Sequence, residues 1–199
     1  LLHQYPENRI FVNPYGVDLS MFKPLPNIPK KYDVIMVGGW GYEKGCDLIV
    51  EAIRKTNYSF IHVGSIKDVD FPQEKNFTHI DPVDQSKLIE YYNQAKVFIL
   101  PSRQDGFGMV LSQALACNLP IIGSNNCGAP DLKKMVELPE YITIIKDYTA
   151  DAIVTAIHTA IKNYEQLGER IYAGNAIENL TWEAYGKRYA NILHKIIKQ

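Results

Sequence analysis

Five short runs of apolar residues are spaced along the chain, at Asp33–Gly38, Ser59–Gly64, Val97–Pro101, Leu119–Gly123 and Tyr141–Ile145. Each is bounded by turn-forming residues, and within each the apolar side chains are contiguous rather than alternating. A strand with water on one face alternates, so this pattern predicts strands buried on both faces, as in a parallel sheet. Phe77–Ile80 is a shorter, weaker candidate of the same kind. Between the runs, apolar residues return at helical spacing: Leu48/Ile49/Ala52/Ile53, Leu88/Tyr91/Tyr92/Ala95, Val110/Leu111/Ala114/Leu115 and Ile153/Ile157/Ala160/Ile161. Asp84 stands where the N-cap of the second of these helices is expected. Regular alternation builds βαβ units with right-handed crossovers. The predicted class is α/β, an open parallel sheet with helices on both faces and ligands at the carboxyl ends of the strands.

Both ends depart from that alternation. Residues 1–29 hold one extended stretch, Ile10–Asn13, followed by turns at Pro14, Pro24, Pro26 and Pro29, and read as a linker ahead of an α/β body over 30–180. The remaining unit, 181–199, is a predicted helix over Thr181–Lys198 carrying Trp182, Tyr185, Tyr189, Ile192 and Ile196. With Lys187, Arg188, Lys195 and Lys198 it could lie on a membrane surface. The commoner arrangement, an apolar face packed on protein and a solvated basic face, is the reading adopted.

Composition narrows the classes further. The chain has 199 residues, 46% hydrophobic and 22% charged, enough for one domain that buries about 70% of its unfolded surface. A net charge of −1 and a pI near 6.6 leave no field to neutralise a duplex, which argues against nucleic-acid binding. Cys46, Cys117 and Cys127 are odd in number and lack Cys-x-x-Cys spacing, so they read as reduced thiols of a cytosolic protein. Asn57, Asn76 and Asn179 begin Asn-x-Ser/Thr matches that, with no leader-like run before them, are read as silent. Apolar runs such as Val97–Leu100 are far shorter than the ~20 residues that span a bilayer.

Two segments carry candidate chemistry. Val37–Gly45 follows a buried strand and precedes a helix, where a doubly wound sheet holds a phosphate. Its spacing is not the dinucleotide fingerprint, because Gly39-x-Gly41-x-x leads to Lys44, and it is not a P-loop. Amides around Gly38 and Gly39 with the Lys44 ammonium can still approach an anion; a plain tight turn explains the pattern as well. In Pro101–Ala114, Gly106 and Gly108 flank Phe107 at a strand-to-helix junction. Free amides of the coming helix then point into the same crevice, an environment that suits a diphosphate. Asp105 and Gln113, eight positions apart, cannot meet on one helix face and would bracket a ligand. Read alone, Asp105 is better explained as an N-cap and Gln113 as a solvated helix residue. Asp68-Val69-Asp70 could hold a divalent ion against a diphosphate, but a solvated loop is the reading adopted, and His62 and His79 are read as structural.

Four blocks together carry a more specific signal: Asn13-Pro14-Tyr15-Gly16-Val17-Asp18 with Phe22-Lys23-Pro24; Gly38 through Gly45; Pro101 through Pro120; and Gly128-Ala129-Pro130-Asp131. In order and spacing they resemble the group 1 (family 4) glycosyltransferases of the GT-B fold. The resemblance covers that family's C-terminal, nucleotide-sugar-binding half, with the interdomain linker and the terminal helix that packs back toward the other half. It implies a Rossmann-like three-layer domain whose N-terminal acceptor domain lies outside this sequence.

The resemblance also implies roles. Lys44 falls on the lysine that binds the donor diphosphate, while the family's arginine, five residues earlier, falls on Gly39. The family's paired glutamates fall on Asp105, implied to contact the transferred sugar, and Gln113, implied to contact the ribose. Amides from Gly106 through Phe107, Gly108, Met109 and Val110 are implied to face sugar and phosphates, and His79, Ile80 and Asp81 to offer main-chain groups to the nucleobase. Gln for Glu costs about 1 kcal/mol in a ribose hydrogen bond, roughly fivefold in affinity. Loss of the arginine matters more, since a guanidinium pairs bidentately with phosphate; Arg103 is the candidate replacement.

The implied activity is a retaining transfer from a UDP-, GDP- or ADP-sugar, in polysaccharide or glycoconjugate synthesis, with Lys44 and Asp105 catalytic and neither metal nor other cofactor. Expected partners are the nucleotide sugar and the N-terminal domain, with membrane contact only through that domain or a lipid acceptor. The expected location is cytoplasmic, with peripheral attachment at the inner membrane face as a variant. Without the second domain to close the site, the chain is expected to bind nucleotide and transfer little sugar. Competing readings are an inactive sugar-nucleotide-binding module and a related nucleotide-sugar epimerase; a dinucleotide oxidoreductase is disfavoured by the missing third glycine.

Overall fold

In the computed structural model, residue 6 and residues 10–167 and 174–197 are described. Residues 1–5 and 7–9 of the predicted linker and Lys198 of the predicted helix lie outside the described residues. Six strands form one sheet: β1 Tyr32–Val37, β2 Phe60–Val63, β3 Phe77–Ile80, β4 Ala95–Leu100, β5 Ile121–Ser124 and β6 Ile142–Ile145. Their order is β3-β2-β1-β4-β5-β6, and every pairing is parallel. The chain therefore builds outward from β1 to β3, crosses back to β4 and builds the other way. The loops leaving the carboxyl ends of β1 and β4 diverge, which opens a crevice at that switch point. Those loops are the two segments singled out for chemistry.

Helices α1 Cys46–Lys55, α2 Gln85–Gln94, α3 Met109–Ala116 and α4 Ala129–Lys133 connect the strands, and α5 Ala150–Leu167 and α6 Trp182–Ile197 follow. Right-handed crossovers put α1 on one face and α2, α3 and α4 on the other. α5 packs beside α1 and against β4, β5 and β6, completing three layers. The central strands are buried on both faces, as contiguous apolar runs require: Val34, Ile35, Val97, Phe98, Ile99, Ile121 and Ile122 are fully buried. Ile35 sits beside Phe98, and Ile99 beside Ile122, in register across the sheet. Each such side chain contributes about 1.5–3 kcal/mol by leaving water. β3, at the sheet edge, is half-buried throughout, which is why its run is weak.

Several boundaries differ from expectation for local reasons. Strand β5 begins at Ile121 because Pro120 has no N–H to pair; its carbonyl accepts from Phe98. Tyr141 closes a 3-10 turn, Pro139–Tyr141, ahead of β6. Asp84 occupies the N-cap of α2, but its side chain makes no capping bond. The segment read as a linker gives Val17 and Phe22 to the core, and Val17 bridges to Thr181. Arg188, assigned to a solvated basic face, is instead half-buried. Its guanidinium donates to Asn13 Oδ1 at 2.9 Å, Asn179 O at 2.6 Å and Pro14 O at 2.8 Å, tying α6 to the first segment. Tyr15 meets Trp182 and Tyr185 there, whereas Tyr189, Leu193 and Ile196 remain exposed. Among the described residues, no helix is long and apolar enough to cross a membrane.

Candidate functional site

The loops after β1 and β4 meet at a glycine. Gly45 ends the 3-10 turn Tyr42–Lys44 in the left-handed region (φ 73°), and a Cβ there would overlap the carbonyl of Pro101. Only glycine combines that φ with that approach. Arg103 N–H donating to Glu43 O at 2.8 Å adds a second stitch between the loops. The turn delivers Lys44 to the crevice, where Nζ donates to Asp105 Oδ2 at 2.8 Å, Glu43 Oε1 at 3.2 Å and Gln104 O at 3.4 Å. Burial works against the Lys44 charge, but the Asp105 and Glu43 carboxylates outweigh it and raise the pKa above its ordinary value. The site thus holds a fixed cation at neutral pH.

The N-terminus of α3 faces the same mouth. Its N-cap is Gly108, in the left-handed region at φ 74°, and no side chain caps it. The first-turn amides, at Met109 and Val110, therefore carry the partial positive charge of an open helix end. Phe107 is fixed behind them: its carbonyl accepts from Gly128 N–H at 2.9 Å, and Tyr15 meets its ring edge-on at 5.9 Å. Gly106 is open, with nothing within 4 Å of a Cβ built on it.

Gln113 is buried at 5% exposure, not solvated as a lone helix residue would be. Tyr92 Oη donates to its Oε1 at 3.0 Å, which turns the amide nitrogen to the opposite side. Gln113 lines a cleft of about 280 Å³ with Met109, Asp18, Gln85 and Trp182. A larger cleft of about 430 Å³, among Pro24, Pro29, Cys117 and Tyr164, lies at the amino ends of the strands, away from this chemistry.

His79 and Ile80 are not brought to the Lys44–Asp105 pair; they stand two strands from β1, about 10 Å across the sheet. The Ile80 carbonyl accepts from Gly64 N–H at 3.0 Å, so the outward main chain of this edge strand is that of His79 and Asp81. His79 Nδ1 is 2.9 Å from His62 Nδ1, and His62 Nε2 donates to the Gly38 carbonyl at 2.8 Å, linking β3 to the glycine turn. Trp40, which sequence reasoning passed over, packs on His62, Phe71 and Phe77 beneath that turn; consecutive turn residues give no signal of such depth.

Arg103 is not a free cation in this structure. Its guanidinium is held bidentately by Asp47, at 2.6 and 2.8 Å, donates to Tyr42 O at 2.7 Å and lies 3.7 Å over the Tyr42 ring. A carboxylate and a ring already satisfy the planar fork that a phosphate would need. Asp68 Oδ1 accepts from Tyr42 N–H at 2.8 Å, a turn-forming role. Among the described residues, no group of three or more His, Cys, Asp or Glu could hold a metal.

The profile of the glycosyl transferases group 1 family matches residues 19–176. The chain belongs to the group 1 glycosyltransferases. It is 25% identical to a probable sucrose-phosphate synthase of Thermosipho melanesiensis, over 96% of this chain and 49% of that protein. It is 30% identical to the sulfoquinovosyl transferase SQD2 of Arabidopsis thaliana over 59% of this chain and 26% of that one. The chain spans about half or less of the length of these relatives. Its fold matches a glycosyltransferase from Rickettsia africae with a TM-score of 0.74 at 17% identity, over 99% of this chain and 60% of the other. It matches Anabaena HepE in complex with UDP-glucose at 0.70 and 15% identity, over 90% and 56%. The C-terminal domain of the group 1 protein LpcC from Francisella tularensis matches at 0.65 and 19% identity, over 87% of this chain and 98% of that domain. The group 1 glycosyltransferase sheet, with its crevice between β1 and β4, is therefore the architecture on which Lys44, Asp105 and the open end of α3 are arranged.

Proposed function

We propose that the crevice binds a nucleoside-diphosphate sugar and that the chain is the donor domain of a retaining glycosyltransferase. One observation carries the reading: a lysine ammonium and an uncapped helix N-terminus converge on the switch point, with a carboxylate bonded to the ammonium. The pair of positive elements suits a diphosphate, and the carboxylate suits sugar hydroxyls, which donate to it. The UDP-glucose complex of the Anabaena neighbour supports a nucleotide-sugar ligand, and the near-complete match to the LpcC domain supports assignment of this chain as one domain of a glycosyltransferase.

Chemistry follows from where charge develops. When the bond from the anomeric carbon to the diphosphate oxygen breaks, negative charge gathers on the leaving group. Lys44 and the amides at Met109 and Val110 are preorganised to stabilise it. The acceptor oxygen bonds to the anomeric carbon on the face the leaving group vacates, and its proton passes to a phosphate oxygen. Asp105 orients the sugar, the Gln113 amide nitrogen donates to a ribose hydroxyl, and the second domain of the longer relatives supplies acceptor and closure.

Calorimetric titration with UDP, GDP and ADP, alongside uridine, guanosine and adenosine, tests the reading. One diphosphate should bind, and Lys44→Ala should weaken it about 10- to 100-fold while leaving its nucleoside unchanged. Equal losses for both would remove Lys44 from the phosphate site.

A further inference from the structure

Strands β1 and β2 stay paired beyond their regular ladder. Trp40 and Ile66 form one more parallel bridge, Trp40 N–H donates to Ser65 O at 2.7 Å, and Lys67 N–H donates to Trp40 O at 3.0 Å. This rung holds residue 67 alongside the glycine turn, and the Lys67 side chain lies across Gly39. A Cβ built on Gly39 would stand 2.5 Å from Lys67 Cε, 3.1 Å from Cδ and 3.3 Å from Nζ. The missing side chain at 39 and the place of Lys67 are one arrangement: the lysine stem fills the volume that a side chain at 39 would use.

The three cations near the turn differ in what they have left to offer. Arg103 is spent on Asp47, and Lys44 is shared between Asp105 and Glu43. Lys67 is exposed, and its ammonium makes no ion pair or hydrogen bond among the described residues. Its neighbour Asp68 is turned back onto Tyr42 N–H and forms no ion pair with it. We infer that Lys67 is a binding residue for the donor diphosphate, supplying from the loop after β2 the positive charge that position 39 lacks. The inference rests on the donor reading above and adds a residue to it.

A nucleoside diphosphate carries more negative charge than one shared ammonium offsets, and a second ammonium on a flexible stem can follow it into the crevice. Because Gly39 lies outside the left-handed region, a side chain there is allowed once Lys67 yields. This supplies a rescue experiment. In titrations of this chain with UDP, GDP and ADP, Lys67→Ala should weaken the diphosphate that binds by about 10- to 100-fold and leave its nucleoside unchanged. Lys67→Arg should bind like the unaltered chain, and Gly39→Arg added to Lys67→Ala should recover most of the loss. The melting temperature should not move in Lys67→Ala, since the side chain is exposed. Diphosphate affinity within about twofold of the unaltered chain in Lys67→Ala, with the Lys44→Ala loss intact, overturns the role of Lys67 and leaves the donor reading standing. Parallel loss of nucleoside affinity also overturns it. Failure of all three diphosphates to bind the unaltered chain overturns the donor reading and the Lys67 assignment together.

Discussion

The ammonium of Lys44 and the carboxylate of Asp105 are joined at 2.8 Å although they leave the sheet from different strands. In the donor site proposed above, the carboxylate would act oppositely on the two halves of a sugar nucleotide, repelling the diphosphate and accepting from the sugar hydroxyls. Asp105→Asn should therefore tighten binding of the free diphosphate about three- to tenfold, by freeing Lys44 and removing a like charge. On the same proposal, sugar transfer assayed with the second domain of the longer relatives present should slow about 100-fold, because the sugar loses its orienting acceptor. Calorimetry and turnover read the two effects separately. Weaker diphosphate binding in Asp105→Asn would mean that the carboxylate acts only by holding Lys44 in place.

Acid should destabilise the chain through His62, which is fully buried. Burial first, and the neighbouring His79 second, push its pKa from the ordinary 6.5 down to about 4, against the bond to the Gly38 carbonyl. Below 6.5 the unfolded chain takes up a proton that the folded chain refuses until about pH 4. The contribution is fully present above pH 6.5 and falls away as the pH drops through that interval, by on the order of 3 kcal/mol. Urea unfolding between pH 4 and 7.5 should show this slope, flattened in His62→Leu. An unchanged slope in the variant would assign the acid sensitivity to other groups.

Thiol chemistry should be silent in the folded chain. Cys46, Cys117 and Cys127 are free and buried, and burial pushes Cys46 and Cys117 up to about 12 and raises Cys127 as well. At pH 8 a disulfide reagent should modify none of them on the time scale in which it modifies all three in urea, because the thiolate is the reacting form. Rapid labelling of one thiol in native buffer would locate a local opening.

What the sequence disclosed and what it hid divide along the range of the interactions. Contiguous apolar runs located the central strands because burial on both faces leaves no polar alternation, and Phe77–Ile80 read weakly because an edge strand is only half-buried. Helix α4 went unread: five residues are too few to display a period, and Pro130 sits in its first turn. At the site, the glycines and Lys44 could be placed because a strand-turn-helix unit is local. The partners of Arg103 could not, since Asp47 lies 56 positions away, and neither could the seat of Lys67 over Gly39, which depends on an extra rung between two strands. Taken alone, Gln113 looks like a solvated helix residue; its burial against the Tyr92 hydroxyl, which comes from another helix, carries no local signal.

Two glycines of the crevice should differ in what alanine costs the fold. At Gly45 the φ of 73° costs an alanine about 1–2 kcal/mol, and its Cβ meets the Pro101 carbonyl, a backbone atom that cannot rotate aside. The loops bearing Lys44 and Asp105 must separate to admit it. Gly45→Ala should therefore lose on the order of 2–4 kcal/mol of stability and weaken the diphosphate along with it. Gly106 lies outside the left-handed region with open space where a Cβ would go, so Gly106→Ala should stay within about 0.5 kcal/mol of the unaltered chain. If the donor passes over the mouth beside the open end of α3, the added methyl stands in its path, and affinity falls with no change in melting. Thermal melts paired with diphosphate titrations separate the two positions. An alanine at 106 that alters neither melting nor binding would move the ligand's route away from this loop.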